Sequence, residues 1–256
     1  MSEIKTAFKA LSPEQRAVIE QQGCSGAHST DEWLELLTPV AEFDKKADEV
    51  SAGAGGFFAR RFARRHDLPF GLRLFALPLL PILREDHDPG TPLELKLDLT
   101  GPEQNSKVTR TSDPYKKGAY HKIVDTFYDD PWIEGHAKFV DGTDLRFSVI
   151  DHVRSQSKTK RNPRGKIKRK TKAKKKTELA VTVTFPARNY AAATSQATQS
   201  ADIRKESVKA GEDRTVVRLS KVVELARTDG VPQPEHLLGL VAEAYQRVDP
   251  SRRKKL

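Results

Sequence analysis

The chain has 256 residues, enough for one or two ordinary domains, and its 37% hydrophobic content is sufficient to build a core. No apolar run reaches the ~18 residues of a membrane-spanning helix, because the strongest stretch, 68–83, is cut by Pro69, Pro78 and Pro81. The single cysteine, Cys24, excludes an internal disulfide framework and a multi-cysteine metal site. The opening residues Met-Ser-Glu-Ile-Lys-Thr-Ala-Phe-Lys carry no apolar export signal, so the expectation is a cytoplasmic protein with no membrane partner.

The formal net charge is +10, and it is concentrated. Thirteen of the 45 Lys and Arg lie between Arg154 and Lys176, a stretch without an acid. Elsewhere 32 basic residues meet all 35 acids, so the other 233 residues sum to −3. A near-neutral body carries one basic device.

Residues 1–90 read as mainly helical. Ser12-Pro13-Glu14-Gln15 combines an N-cap serine, proline at the first helical position and a capping-box glutamine, which predicts a helix over 13–21. Ser29 to Glu32 starts a second helix through Trp33, Leu34, Leu36 and Leu37, expected to stop near Thr38 because Pro39 disfavours helix before it. After a glycine-rich stretch at 51–56, the repeat Phe-Ala-Arg-Arg predicts an amphipathic helix over 57–66. Phe58 and Phe62 should pack inward, with Arg60, Arg61, Arg64 and Arg65 solvated.

From Leu93 the period changes to two, with Leu93, Leu95, Leu97 and Leu99 alternating with polar residues. Further strands are expected at 120–128, 132–140, 143–153 and 166–185, with Asp141-Gly142 as a hairpin turn. Residues 91–186 thus form an antiparallel meander that includes a basic arm, 154–176. The stretch 187–215 reads as a linker or loop, and 216–256 as a helical pair with a basic tail. Within that pair, helices are expected over 216–227 and 234–246. The fold class is α+β, an antiparallel β-meander with a long projecting basic β-hairpin, flanked by N-terminal and C-terminal helices.

A hairpin centred on Arg161-Asn162-Pro163-Arg164-Gly165 pairs residues whose numbers sum to 326, placing Leu145 opposite Val181 and Asp151 opposite Lys175. Towards the tip it stacks Lys160 on Lys166, Lys158 on Lys168 and Arg154 on Lys172, like charges that should fray the free ribbon. Lys166, Lys168, Lys170, Lys172, Lys174 and Lys176 recur at every second residue and so share one side of an extended strand. Such a row matches a polyanion. If about six to ten charges meet phosphates, log K should fall with log salt at a slope of about −5 to −9. Lysine is a flexible point charge without an acceptor, which suits phosphates better than base edges.

The run Arg161-Asn162-Pro163-Arg164-Gly165-Lys166-Ile167-Lys168 resembles the arm tip of the HU/IHF bacterial nucleoid proteins, in which an Arg-Asn-Pro turn on a basic β-ribbon inserts proline into bent DNA. The resemblance covers eight residues. The family's threonine before the glycine is absent, the arm is richer in lysine, and the flanking chain is unlike that family.

The expected nucleic-acid-binding residues are Arg154, Lys158, Lys160, Arg161, Pro163, Arg164, Lys166, Lys168, Arg169, Lys170, Lys172 and Lys174. Arg161 and Arg164 are candidates for a minor groove, with Pro163 as the wedge. Tyr120, Tyr128 and Trp132 are candidates for base stacking, against ordinary sheet packing. Glu134, His136 and Lys138 share a strand face, with Asp129, Asp130 and His121 as neighbours for a metal-dependent nuclease reading, but no recognised catalytic motif occurs. The expected function is non-enzymatic, sequence-nonspecific binding of DNA or RNA, without metal or cofactor, at the nucleoid or ribosome. The second reading is an assembly protein whose arm enters an acidic partner, and the third is the nuclease.

Overall fold

The computed structural model describes residues 3–54, 56–162, 164–193, 203–225 and 230–251. The helical layer comprises α1 (Glu3–Ala10), α2 (Pro13–Gln21), α3 (Thr30–Glu49), α4 (Phe57–Arg65) and α5 (Leu77–Asp86), with α6 (Pro234–Tyr245) near the other end. No helix among the described residues is long and apolar enough to cross a membrane. The α2 start forms as its sequence requires: Ser12 Oγ accepts from the Gln15 backbone N–H at 3.2 Å, and Gln15 Oε1 accepts from the Ser12 N–H at 2.9 Å.

Helix α3 does not stop at Pro39. A proline inside a helix leaves the carbonyl four residues back without its donor. Here that carbonyl belongs to Glu35, and Gln15 Nε2 donates to it at 3.2 Å from the neighbouring helix. Buried Trp33, Leu37, Val40 and Phe43 then hold α3 on the core through the proline. In α4 the inward side is Phe62 and Ala63, while Phe57 and Phe58 are 72% and 78% exposed, so the expected inward packing of Phe58 fails.

The sheet has nine strands, and every pairing in it is antiparallel: β1 (Gly23–His28), β2 (Leu93–Asp98), β3 (Val108–Thr111), β4 (Tyr115–Lys117), β5 (Tyr120–Lys138), β6 (Asp144–Arg161), β7 (Ile167–Pro186), β9 (Ile203–Ala210) and β10 (Arg214–Val223). Its order is β1-β2-β5-β6-β7-β10-β9, with β3 and β4 on the β5 edge beyond β2. Strands β8 (Tyr190–Ala192) and β11 (Val248–Pro250) form a separate pair.

Two expectations beyond β7 are corrected here. Residues 214–223 form strand β10 rather than a helix, because Thr215, Val217 and Leu219 alternate into the core on a β-branched backbone. The 187–215 stretch is not simply a linker, since it supplies β8 and β9, and β9 pairs with β10 as a charged edge strand. Buried Arg247 ties this end together, with Glu206 at 2.8 Å and Glu243 at 3.1 Å.

The two expected strands at 120–140 are one, β5, with a bulge at Trp132 between Pro131 and Ile133. Pairs across β6 and β7 sum to 328 rather than 326: Leu145 faces Val183, Lys158 faces Lys170 and Lys160 faces Lys168. The turn explains the shift. The Gly165 N–H donates to the Asn162 carbonyl at 2.9 Å, and Gly165 takes a left-handed φ of 78°, so the loop closes on Asn162 and Lys166. The other end of β6 repeats the device at Asp141-Gly142, where the Gly142 N–H donates to Phe139. A two-residue slip preserves which side chains share a face, so Phe147, Val149, Leu179 and Val181 still enter the core.

Asp141 in that second turn joins the two ends of the fold. Its Oδ2 accepts from the Tyr190 hydroxyl at 2.6 Å and the Tyr245 hydroxyl at 3.0 Å, and its Oδ1 from the Thr143 N–H at 2.8 Å. Burial alone would raise this carboxyl, but those donors hold it below the ordinary carboxylate range.

Candidate nucleic-acid interface

Strand alternation divides the basic run into two faces. Lys168, Lys170, Lys172, Lys174 and Lys176 of β7 lie on one face with Arg154, Lys158 and Lys160 of β6. Arg161 and Arg169 lie on the opposite face, Arg164 and Lys166 occupy the turn, and Pro163 lies outside the described residues. The expected twelve are thus not one surface. At ~3.3 Å per residue, successive lysines of the row stand about 6.6 Å apart.

The hairpin is not a free two-stranded ribbon. Strand β5 accompanies β6 as far as Lys122 opposite Thr159, and β3 and β4 flank β5. Only residues beyond Thr159 lack a third strand. Three-stranded support offsets the repulsion of Lys158 against Lys170, whereas Lys160 against Lys168 lies just beyond it. Tyr120 adds to it, with its ring centre 5.6 Å from Lys158 Nζ and 5.8 Å from Lys160 Nζ, contacts worth about 0.5–1 kcal/mol each at exposed sites.

The cations of this region differ in what they already hold. Arg154 donates to Asp125 at 2.8 Å, and that guanidinium above all keeps the Asp125 carboxyl below its usual range. Lys176 is paired with Glu224. Lys175, on the core face, gives 2.9 Å to Asp151 and 2.6 Å to the Gly230 carbonyl, so it belongs to the interior. The expected Asp151 partnership with Lys175 forms diagonally, Thr177 being the residue directly opposite. Lys174 lies near the same Glu224, while Lys168, Lys170 and Lys172 have no acidic partner among the described residues.

At the root of the row, Arg110, Phe127, His152, Arg154, Lys174 and Lys176 border an open groove of about 650 Å³. Arg110 lies 4.5 Å over the Phe127 ring, and His152 stands between Asp129 at 2.7 Å and Glu178 at 3.3 Å. Arg110 and Phe127 were not expected from sequence, because nothing local marks a three-strand neighbour. Of the stacking candidates, Tyr120 is the lysine partner, Tyr128 is half-buried, and Trp132 is buried against Phe75.

The residues of the nuclease reading are dispersed. Glu134 pairs with Lys96 at 3.3 Å, and His136 with Asp144 at 2.6 Å. Asp129 serves His152 on one face, while Asp130 is buried with Lys107 at 2.6 Å. Burial pushes the Cys24 thiol up to about 11, away from reactivity. Against known proteins the chain matches no family model, no curated sequence and no solved structure.

Proposed function

We propose that this protein binds DNA or RNA through the phosphate backbone, without catalysis and with little sequence preference, using the lysine face of β6 and β7. One observation carries the reading. Interior cations of this fold are matched to carboxylates, as Lys107, Lys175, Arg73 and Arg247 are, whereas Lys168, Lys170 and Lys172 stand in a row with none among the described residues. An unmatched row of like charge costs stability, and a polyanion that releases counterions repays it. The site of action in this reading is the cytosol, at the nucleoid or ribosome.

The test is fluorescence anisotropy of the full chain with labelled duplex DNA, single-stranded DNA and RNA, beside a variant carrying K168E, K170E, K172E and K174E. Binding at low salt that the variant loses supports the reading, and the preferred ligand chooses DNA or RNA. A protein that ignores all three ligands at low salt overturns it and transfers the row to an acidic protein partner.

A further inference from the structure

The two outermost strands of the sheet are built differently. Strand β9 carries Arg204, Lys205, Glu206 and Lys209, charged side chains of the kind that keep an edge from recruiting another strand. Strand β1, Gly23-Cys-Ser-Gly-Ala-His28, has no lysine, no proline and no bulge, and β2 is its one ladder partner among the described residues. The Gln22 carbonyl accepts from the Leu99 N–H at 2.8 Å, so by antiparallel alternation Cys24, Gly26 and His28 bond to β2. The N–H and C=O groups of Gly23, Ser25 and Ala27 therefore point away from the sheet, and no backbone group among the described residues meets them. Ser25 and Ala27 are exposed.

Room for another strand exists on both sides of this edge. On the helical side a groove of about 980 Å³ lies beside β1, walled by α2 and α3 through Glu14, Gln15, Glu35 and Leu36. On the other side an open concavity of about 810 Å³ reaches Ser25 and Ala27 and continues over Ser148 and Thr182. The helical groove is acidic. Its one lysine, Lys96, is already paired with Glu134 at 3.3 Å, and its Glu32 and Asp98 are held by the Ser29 cap and by Lys107. Glu14 and Glu35 are exposed and hold no cation among the described residues.

We infer that β1 receives an extended basic peptide of a partner protein, which adds to the sheet as an antiparallel strand and turns its Lys or Arg side chains towards Glu14 and Glu35. Main-chain pairing along Gly23, Ser25 and Ala27 supplies affinity, and the alternation of side chains between groove and concavity supplies specificity. A second copy of this chain is a poorer fit. Two β1 edges paired about a two-fold axis would bring both sets of Glu14 and Glu35 to the same side of one sheet, where like charges repel. The site does not depend on the nucleic-acid reading, because β2, β5 and β6 stand between β1 and the lysine row of β7.

The experiment is a fluorescence-anisotropy titration of a labelled, capped octapeptide of alternating Lys and Thr with the full chain. With its lysines in the acidic groove, the threonines stand on the Ser25 face, and in an antiparallel pair it is their N–H groups that bond to β1. N-methylation of the threonines should therefore weaken binding about tenfold or more, while N-methylation of the lysines, which keeps the same charge, should spare it. E14Q/E35Q, at two exposed positions, should weaken binding about fivefold and flatten its salt dependence. Ser25→Pro removes an N–H that the β2 ladder does not use and should abolish binding. A titration that does not saturate, a threonine-methylated peptide that binds like its parent, or an E14Q/E35Q chain that binds like the native one overturns the inference. So does a dimer of the free chain in sedimentation equilibrium that Ser25→Pro dissolves, which would give the edge to a second copy.

Discussion

At Pro39 helix α3 lacks one backbone N–H, and the group that replaces it comes from Gln15 of another helix. Gln15 therefore does two things: its oxygen completes the Ser12 capping box, and its amide nitrogen serves the Glu35 carbonyl. Gln15→Glu keeps the first and loses the second, and Gln15→Ala loses both. Urea denaturation should show Q15A destabilised by about 1–2 kcal/mol and Q15E by roughly half as much. Equal losses would mean that the Glu35 contact contributes nothing.

Asp67 makes a second prediction at the same scale. Burial first, and then Asp48 beside it, push its carboxyl up to about 6, above the ordinary value near 3.8. The folded state thus holds this proton more tightly than the unfolded chain. The resulting stability is fully present below about pH 4 and is lost as pH rises through 6. Relative to D67N, the native chain should lose midpoint temperature between pH 4 and pH 6 and stay level above. A difference that does not change over that window would contradict the assignment.

Among the elements, β5 and β6 meet at Gly135 and Phe147, which are cross-strand partners. A Cβ on Gly135 would stand 2.2 Å from Phe147 Cζ, so G135A should cost about 1–3 kcal/mol by overpacking, measured as a fall in thermal midpoint. Phe147→Leu in the same chain should recover part of it. Hydrogen exchange should divide the β6 and β7 ladder near Val153 and Thr177, the last buried residues before the lysine row. Amides of β7 before Thr177, where β10 no longer pairs with it, should exchange faster than those of β6, which lies between β5 and β7, and should slow on adding a polyanion.

These elements also show what a sequence reveals. The alternation at Leu93, the Asp141-Gly142 turn and the capping boxes are local, and each was legible. The β10 segment was not: Val216, Leu219, Val222 and Val223 fit a helical stripe, and only its pairing with β7 exposes Thr215 and Val217 as the core positions. The register was missed by two because the left-handed residue, Gly165, rather than the chain's Asn-Pro-Arg centre, decides where the turn closes. Strand β1, with Gly23 and Gly26, has no apolar alternation and exists because β2 offers it a ladder. Of the candidate interface, the β7 lysine row was readable from period two alone. Its two-faced division, and the engagement of Arg154 by Asp125, depend on partners distant in sequence.

Over the whole molecule, charge is sorted by use. One core cluster runs from Ile4 to Val248, and the ion pairs packed about it are matched. The lysine face lies outside that core, and on it Lys168, Lys170 and Lys172 have no acidic partner among the described residues, the feature on which the proposed phosphate binding rests. The local resemblance to a nucleoid-protein arm ends at the tip, since β5 stiffens most of the hairpin. Contacts should therefore come from a sheet face rather than from a flexible arm.

The most direct measurement is the salt dependence of binding to the preferred nucleic acid, for the native chain, for K168A/K170A/K172A and for R161A/R169A. The native slope of log K against log salt should lie at about −5 to −9, and the triple variant should be shallower by about 3, one for each phosphate contact removed. R161A/R169A, on the opposite face, should leave it unchanged. A slope near zero, or one that the triple variant leaves intact, would contradict the lysine face as the phosphate-binding surface.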